Sequence, residues 1–247
     1  IDDSQVVTIT ATDEDGAAND VSFQLDVTNL APVVAAASPS VTVAEGDNAT
    51  MTGTFEDAGV DDVTITASFG AVTQDDQAGT WSWSATATDG PDDSQQVDIT
   101  ATDSDGSASV VSFQWNVDNV APTVAVDTGA LLVDEGQTAT NTGTMGDVGD
   151  DTVTLAASVG TVVDNGNGTW SWSFATTDGT EQSGTVVVTA TDDEGAQSTA
   201  SFTLIVNNIA PTISADNASV TTTEGAEATN TGLFSDAGDD TITLSAS

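Results

Sequence analysis

Asn29-Leu30-Ala31-Pro32 returns twice in this chain, as Asn119-Val120-Ala121-Pro122 and as Asn208-Ile209-Ala210-Pro211. Pro32 and Pro122 are 90 residues apart, and Pro122 and Pro211 are 89 residues apart. Self-similarity at one fixed spacing is typical of repeat architectures. The sequence therefore predicts a tandem array of domains of about 90 residues each.

Other landmarks recur at the same spacing and predict how the chain divides. They are a Glu-Gly pair, a Thr-Trp-Ser-Trp stretch and a turn of the form Ala-Thr-Asp-x-Asp-Gly or a close variant of it. We predict two full repeats, 32–121 (the first repeat) and 122–210 (the second repeat). Residues 1–31 match the C-terminal part of a repeat, and residues 211–247 (the C-terminal segment) match the N-terminal part of another. We expect the chain to be a window on a longer array; association of the end fragments of different copies into a fibre is a weaker alternative.

Apolar residues alternate with polar residues along short segments, which predicts strands with one face in a core. Three rows show the pattern: 153–157, 186–190 and 202–206. Turn residues separate the segments every eight to twelve positions. About seven strands in 90 residues is typical of an immunoglobulin-like β-sandwich. We therefore predict an all-β fold of tandem immunoglobulin-like sandwiches, arranged as an elongated array.

The charge of the chain is one-sided. Its 247 residues include 40 Asp and Glu but no Lys, Arg, His or Cys, so that the formal net charge is −40. Binding to nucleic acid or to an anionic membrane surface depends on Lys and Arg, and both are excluded as partners. No run of eighteen apolar residues is present, so we expect no direct membrane insertion.

The residue types that are missing also argue against catalysis. Without His, Cys, Lys, Arg or Tyr, the chain lacks the usual general bases and nucleophiles near neutral pH. A pair of carboxylates, as in glycoside hydrolysis, remains the one catalytic device available. Because the acids recur in every repeat, we expect them to be structural, and we predict that the protein is not an enzyme.

The order of motifs resembles a known class of repeat. Asn-x-Ala-Pro is followed by Val133-Asp134-Glu135-Gly136, by Thr142-Gly143-Thr144 and by the closing acidic turn. This order resembles the PKD-like and cadherin-like repeats of large bacterial surface and adhesin proteins. The Trp-Gly-Asp-Gly stretch typical of PKD domains is replaced by Trp-Ser-Trp-Ser. The resemblance implies spacers, adhesive stalks or fibre modules, and an extracellular or cell-surface location.

The recurring acids are candidate ligands for Ca²⁺, which takes six to eight oxygen ligands in flexible geometry. The resemblance to cadherin-like repeats implies that an early glutamate, an acidic turn and linker residues converge at each domain junction. The candidate residues are Glu45, Asp103, Asp105, Asp118, Asn119, Glu135, Asp192, Glu194, Asn208 and Glu224.

Two other interpretations of the acids remain open. Asp and Gly dominate ordinary turns for backbone reasons, so these positions need no metal. The acidic excess is also consistent with adaptation to high salt, which screens like charges. A further recurring group is either another site or a solvated loop: Asp57, Asp61 and Asp62; Asp147, Asp150 and Asp151; Asp236, Asp239 and Asp240.

The function predicted from these patterns is a structural or adhesive spacer, stiffened by calcium. Its partners are then the neighbouring repeats, further copies of itself in a fibre, and cell-surface glycans or proteins. The alternative is a glycan-binding module in which exposed tryptophans stack on sugars. The candidates for stacking are the tryptophan pairs, Trp81 with Trp83 and Trp170 with Trp172.

Overall fold

A computed structural model describes residues 4–59 and 61–247. Residues 1–3 of the first fragment, and Val60 of the first acidic loop, lie outside the described residues. The chain forms two compact units, of which the first ends at Asn119 and the second begins at Val120.

The first unit opens with an antiparallel hairpin and continues as a sandwich of eight strands. The hairpin strands are β1 (Gln5–Thr12) and β2 (Ala18–Leu25). The sandwich strands are β3 (Val33–Ala36), β4 (Ser40–Ala44), β5 (Asn48–Glu56), β6 (Thr64–Ala67), β7 (Ala71–Asp75), β8 (Thr80–Thr86), β9 (Gln95–Thr102) and β10 (Ala108–Asp118). They form two four-stranded sheets, in the orders β3-β5-β8-β7 and β4-β10-β9-β6.

The second unit repeats this sandwich and then adds a short strand pair. Its strands are β11 (Thr123–Val126), β12 (Ala130–Asp134), β13 (Thr138–Gly146), β14 (Thr154–Ala157), β15 (Thr161–Asp164), β16 (Thr169–Ala175), β17 (Gly184–Thr191), β18 (Gln197–Asn207), β19 (Thr212–Ala215) and β20 (Gly232–Ser235). A 3-10 turn covers Thr180–Gln182. The sheets are β11-β13-β16-β15 and β12-β18-β17-β14, and β19 pairs with β20.

Each sandwich has eight strands instead of about seven, because its first strand is divided between the two sheets. In the first repeat, β3 belongs to one sheet and β4 to the other, and Pro39 lies between them. Proline has no backbone N–H and therefore interrupts a ladder of hydrogen bonds. Gly129 takes the same place between β11 and β12. The all-β prediction of tandem immunoglobulin-like sandwiches is confirmed.

The alternating apolar residues form the core of each sandwich. Both tryptophan pairs are buried, as are the rows at 186–190 and 202–206. The Trp172 ring meets Phe202 edge-on, with ring centroids 4.9 Å apart. Its indole N–H donates to the Val159 carbonyl at 2.7 Å, so the polar atom of the ring is satisfied inside the core. The alternation predicted from the sequence is therefore the packing pattern of the sandwich.

The N-terminal hairpin shows the same alternation but stays accessible. Phe23 is 51% exposed, and Leu25 and Val27 are also exposed. β1 and β2 form a sheet of two strands, and nothing in the described part of the first unit covers both faces of it. No helix among the described residues is long and apolar enough to cross a membrane.

Candidate metal centre

Glu135 directly follows the last residue of β12 and lies at one end of the second sandwich. β12 runs parallel to β18, with Asp134 opposite Asn207. The Glu135 side chain is only 1% exposed. Its Oε1 accepts a hydrogen bond from the Ile209 N–H at 2.6 Å, whereas its buried Oε2 accepts none. Buried polar atoms of native proteins are nearly always hydrogen-bonded, so Oε2 calls for a ligand.

The loop after β20 brings two more carboxylates to Glu135. One carboxylate oxygen each of Glu135, Asp236 and Asp240 lies within 4.8 Å of the other two, and we call these residues the Glu135 cluster. A backbone hydrogen bond holds the loop on the second repeat, because the Asp239 N–H donates to the Thr177 carbonyl at 2.6 Å. The cluster therefore joins residues about 100 positions apart in the sequence.

Two glycines allow this close approach. A Cβ atom on Gly238 would lie 2.8 Å from both Glu135 Oε2 and the Thr177 carbonyl oxygen. A Cβ atom on Gly136 would lie 2.6 Å from the Ala237 carbonyl oxygen. Separations this short exclude a side chain at either position unless the loop moves. Oε2 of Glu135 therefore points toward the 236–240 loop.

Several negatively charged carboxylates lie close together in and around the Glu135 cluster. Partial burial raises the pKa of the Asp240 carboxyl above its ordinary value. The negative charges of Glu135, Asp178, Asp236 and Glu181 raise this pKa further, in that order of effect. Both causes disfavour the ionised carboxylate. A bound cation would instead favour the ionised carboxylate.

Glu45 holds the equivalent position in the first sandwich. It directly follows β4, is buried, and donates its N–H to the Asp118 carbonyl at 3.0 Å. Its Oε2 accepts a hydrogen bond from the Gly90 N–H at 3.0 Å. The early glutamate of each full repeat is therefore a buried residue beside the last strand of its own sandwich.

Asp103 lies in the turn between β9 and β10. Its Oδ2 accepts a hydrogen bond from the Asn29 amide at 2.8 Å, and its Oδ1 accepts one from the Ser107 N–H at 2.8 Å. The bond from Asn29 is the main cause that holds the pKa of Asp103 below its ordinary value. Asn29 belongs to the first Asn-x-Ala-Pro sequence, so this contact ties that linker to the acidic turn of the first repeat.

The predicted ligands of one repeat lie at opposite ends of its sandwich. In the first repeat, Asp103 and Asp105 precede β10, whereas Glu45 lies beside its last residue, Asp118, and Asn119 follows. Ten residue steps of a strand span about 33 Å, so these two groups cannot share an ion.

The second repeat has the same arrangement. Asp192 and Glu194 precede β18, and Asn208 follows that strand at the end where Glu135 lies. Asp192 is buried, and its Oδ1 accepts a hydrogen bond from the Ala196 N–H at 2.6 Å. Glu224 is exposed in the C-terminal segment. Of the predicted ligands in the second unit, the structure places Glu135 alone in the Glu135 cluster.

Asp236 and Asp240 belong to the recurring acidic group for which the sequence left two interpretations open, another site or a solvated loop. The sequence signal for these two residues is the recurrence of the acidic loop at the spacing of the repeat. A solvated loop would recur at the same spacing, so the recurrence alone does not indicate a metal site. Their contact with Glu135 is tertiary and has no local signature. The residue pattern alone could not select between the two interpretations.

Comparisons with known proteins find structural similarity only. No family model and no curated protein sequence matches the chain. The titin domains Z1Z2, solved in complex with telethonin, share 18% identity at a TM-score of 0.43, over 73% of this chain and 98% of theirs. The titin domains A168–A170 share 16% identity at a TM-score of 0.42, over 71% of this chain and 66% of theirs. The immunoglobulin-like assignment itself rests on the strand order and core described above.

The structure corrects the alternative of a sugar-stacking platform. All four residues of the tryptophan pairs are at most 2% exposed, so none presents a ring face to solvent. Their spacing of two residues directs both rings into the sandwich because alternate residues of a strand share a face. A glycan site built on exposed members of these pairs is therefore wrong.

Proposed function

We propose that the chain is a mechanical spacer, made of tandem immunoglobulin-like repeats and belonging to a secreted or cell-surface protein or an extracellular fibre. Its role on this proposal is to separate and connect other parts of an assembly, without catalysis. Neighbouring repeats are its main partners, and further copies in a fibre or proteins at a cell surface are additional ones.

The observation that carries the proposal is the parallel pairing of strands near the two chain ends of each repeat. β4 pairs in parallel with β10 over five residue pairs, from Ser40 with Gln114 to Ala44 with Asp118. Force applied to the two ends of the repeat pulls these parallel strands past each other. The hydrogen bonds of the pair then share the load, instead of opening one after another as in a hairpin pulled apart at its open end.

The second repeat has the same parallel pair of strands. β12 pairs in parallel with β18 over five residue pairs, from Ala130 with Thr203 to Asp134 with Asn207. A mechanical element that recurs at the same place in each repeat suits an array whose length grows by added copies. An active site has no such need for repetition.

The composition supports the extracellular and calcium-dependent parts of the proposal. A chain without Lys and Arg offers no trypsin cleavage site, which suits exposure outside a cell. Forty acids without a basic side chain repel one another and destabilise a compact fold. Calcium ions bound between acids offset that repulsion and stiffen the repeats.

Single-molecule stretching of the whole chain tests the proposal. Each full repeat is expected to unfold in one event that releases about 300 Å of chain, because extended chain spans about 3.3–3.6 Å per residue. A chain that extends without separate unfolding events would contradict a mechanical role.

Two proline variants of neighbouring residues, Thr42→Pro and Val43→Pro, identify the force-bearing strands. β4 is an edge strand with β10 as its one neighbour, so only alternate N–H groups join the ladder. One variant therefore removes a backbone hydrogen bond to β10. The other replaces an N–H that points away from β10, where proline is tolerated. We expect one of the two to lower the unfolding force of the first repeat. Equal forces in both variants and the unaltered chain would contradict the assignment.

A further inference from the structure

We propose that Glu135, Asp236 and Asp240 bind one Ca²⁺ ion, which fastens the C-terminal segment onto the second repeat. The inference deepens the calcium part of the proposed function and rests on it, because it assumes surroundings that supply calcium. It names a site in which the acidic loop of a following repeat completes the buried glutamate of the preceding one.

The first observation is the unpartnered oxygen. Oε2 of Glu135 is buried and accepts no hydrogen bond, and the residue is 1% exposed. This oxygen faces the 236–240 loop, since a Cβ atom on Gly238 would lie 2.8 Å from it. A carboxylate oxygen held out of water without a donor is unfavourable unless a cation reaches it. The position of Oε2 therefore suits a bound cation.

The second observation is the spacing of the oxygens. Ca²⁺ binds oxygen at 2.3–2.6 Å, so two oxygens on opposite sides of the ion lie about 4.6–5.2 Å apart. One oxygen from each of the three residues lies within 4.8 Å of the other two, which leaves room for an ion among them without large movement. Four carboxylate oxygens are available, because Oε1 of Glu135 accepts from the Ile209 N–H and Oδ1 of Asp236 accepts from the Ala237 N–H. Water completes the shell.

The donor set also selects the class of ion. The chain contains no His and no Cys, so oxygen is the donor on offer, and oxygen suits hard cations. Mg²⁺ requires near-octahedral geometry with oxygens at about 2.0–2.1 Å, which is tighter than this cluster demands. Ca²⁺, with its longer bonds and flexible geometry, is the better match.

The charge around the cluster must be neutralised from solution. Asp178 and Glu181 add their negative charges to those of the three ligands. The chain has no basic side chain that could serve as a partner. A calcium ion supplies the missing positive charge. It is bound at once by Glu135 of the second repeat and by Asp236 and Asp240 of the C-terminal segment. Binding then opposes separation of the 236–240 loop from Thr177 and Glu135.

The test uses the whole chain, stripped of metal with a chelator and then titrated with CaCl₂. Calorimetric titration gives the number of ions bound and their affinity. Hydrogen exchange, followed by mass spectrometry, reports on residues 236–240, where the Asp239 N–H donates to Thr177. The variants are Glu135→Gln and Asp240→Asn, and the matched control is Glu227→Gln in the exposed part of the C-terminal segment.

Calcium is expected to slow exchange in residues 236–240 of the unaltered chain and of Glu227→Gln, and to leave it unchanged in the two cluster variants. Affinity for one ion should fall by at least about tenfold in those variants, since even outer-shell substitutions cost about 10- to 100-fold. Glu135→Gln keeps an oxygen for Ile209, so its core should remain folded.

Equal calcium affinity and equal protection in Glu135→Gln would overturn the proposed site. Protection by NaCl alone would overturn it as well, because it would show screening instead of binding. Either result would leave the stretching behaviour of the repeats unaffected. Failure of the site and failure of the spacer function are therefore distinguishable.

Discussion

Gly143 lies at a point of the second sandwich where a side chain has no room. A Cβ atom at this position would lie 2.0 Å from the Ala125 carbonyl oxygen and 2.4 Å from a ring carbon of Trp170. Trp170 is a fully buried core residue, and Ala125 belongs to β11, the neighbouring strand. Substitution of Gly143 by Ala must therefore displace either a strand or the core indole.

The expected cost follows from two opposing effects. Overpacking a core costs about 1–3 kcal/mol, and the upper end applies here because a backbone oxygen is one of the two obstacles. Alanine regains about 0.5–1 kcal/mol, since glycine in a strand loses more conformational freedom on folding. Gly143→Ala should therefore lower the free energy of unfolding by about 2 kcal/mol, or the Tm by about 8–16 °C for a domain of this size.

Gly184→Ala is the matched control in the same sandwich. Gly184 begins β17, and a Cβ atom there meets no other atom within 4 Å. This variant should raise the free energy of unfolding by about 0.5–1 kcal/mol. Scanning calorimetry of the whole chain measures both, with the first unit as an internal reference. A Gly143→Ala chain that is as stable as the unaltered chain or as Gly184→Ala would contradict the steric conflict at this position.

Two further predictions concern the tryptophans and a surface carboxylate. The emission of the buried tryptophan pairs should not change on addition of soluble polysaccharides, and a saturable change would contradict their placement in the core. Hydrogen bonds from Gln96 and Ser112 hold the pKa of Asp98 below its ordinary value, so Ser112→Ala should raise this pKa in a carboxyl NMR titration. The stabilisation from Asp98 is present above the pKa of this group in the unfolded chain and is lost as the pH falls through its pKa in the folded chain. An unchanged pKa of Asp98 in the Ser112→Ala variant would refute the role of Ser112.

Much of the fold could be predicted because its determinants are local. Alternation along 186–190 and 202–206 places every second residue in a core, and the structure buries those residues. The division of the first strand was not predicted, because Pro39 and Gly129 read equally well as turn residues. The exposed hairpin was not predicted either: Phe23 follows the alternation but lacks a covering sheet among the described residues.

The candidate site was less accessible to prediction. Glu135 was identified because it recurs directly after a strand, and recurrence is visible in a sequence. Asp236 and Asp240 recur as well, but their proximity to Glu135 depends on the folding of a loop against it across about 100 residues. Within the first repeat, β10 separates Glu45 from Asp103, so the ligand set that the resemblance implies at a domain junction stays a prediction.

Thermal unfolding of the whole chain in calcium and in chelator, each at low and high NaCl, tests the cation-stiffened spacer most directly. We predict that millimolar calcium raises the Tm and that the increase persists at high NaCl, because ions bound among buried carboxylates are screened little by salt. If NaCl in chelator reproduces the whole increase, the acids act as a diffuse surface charge, and calcium stiffening of the repeats is contradicted.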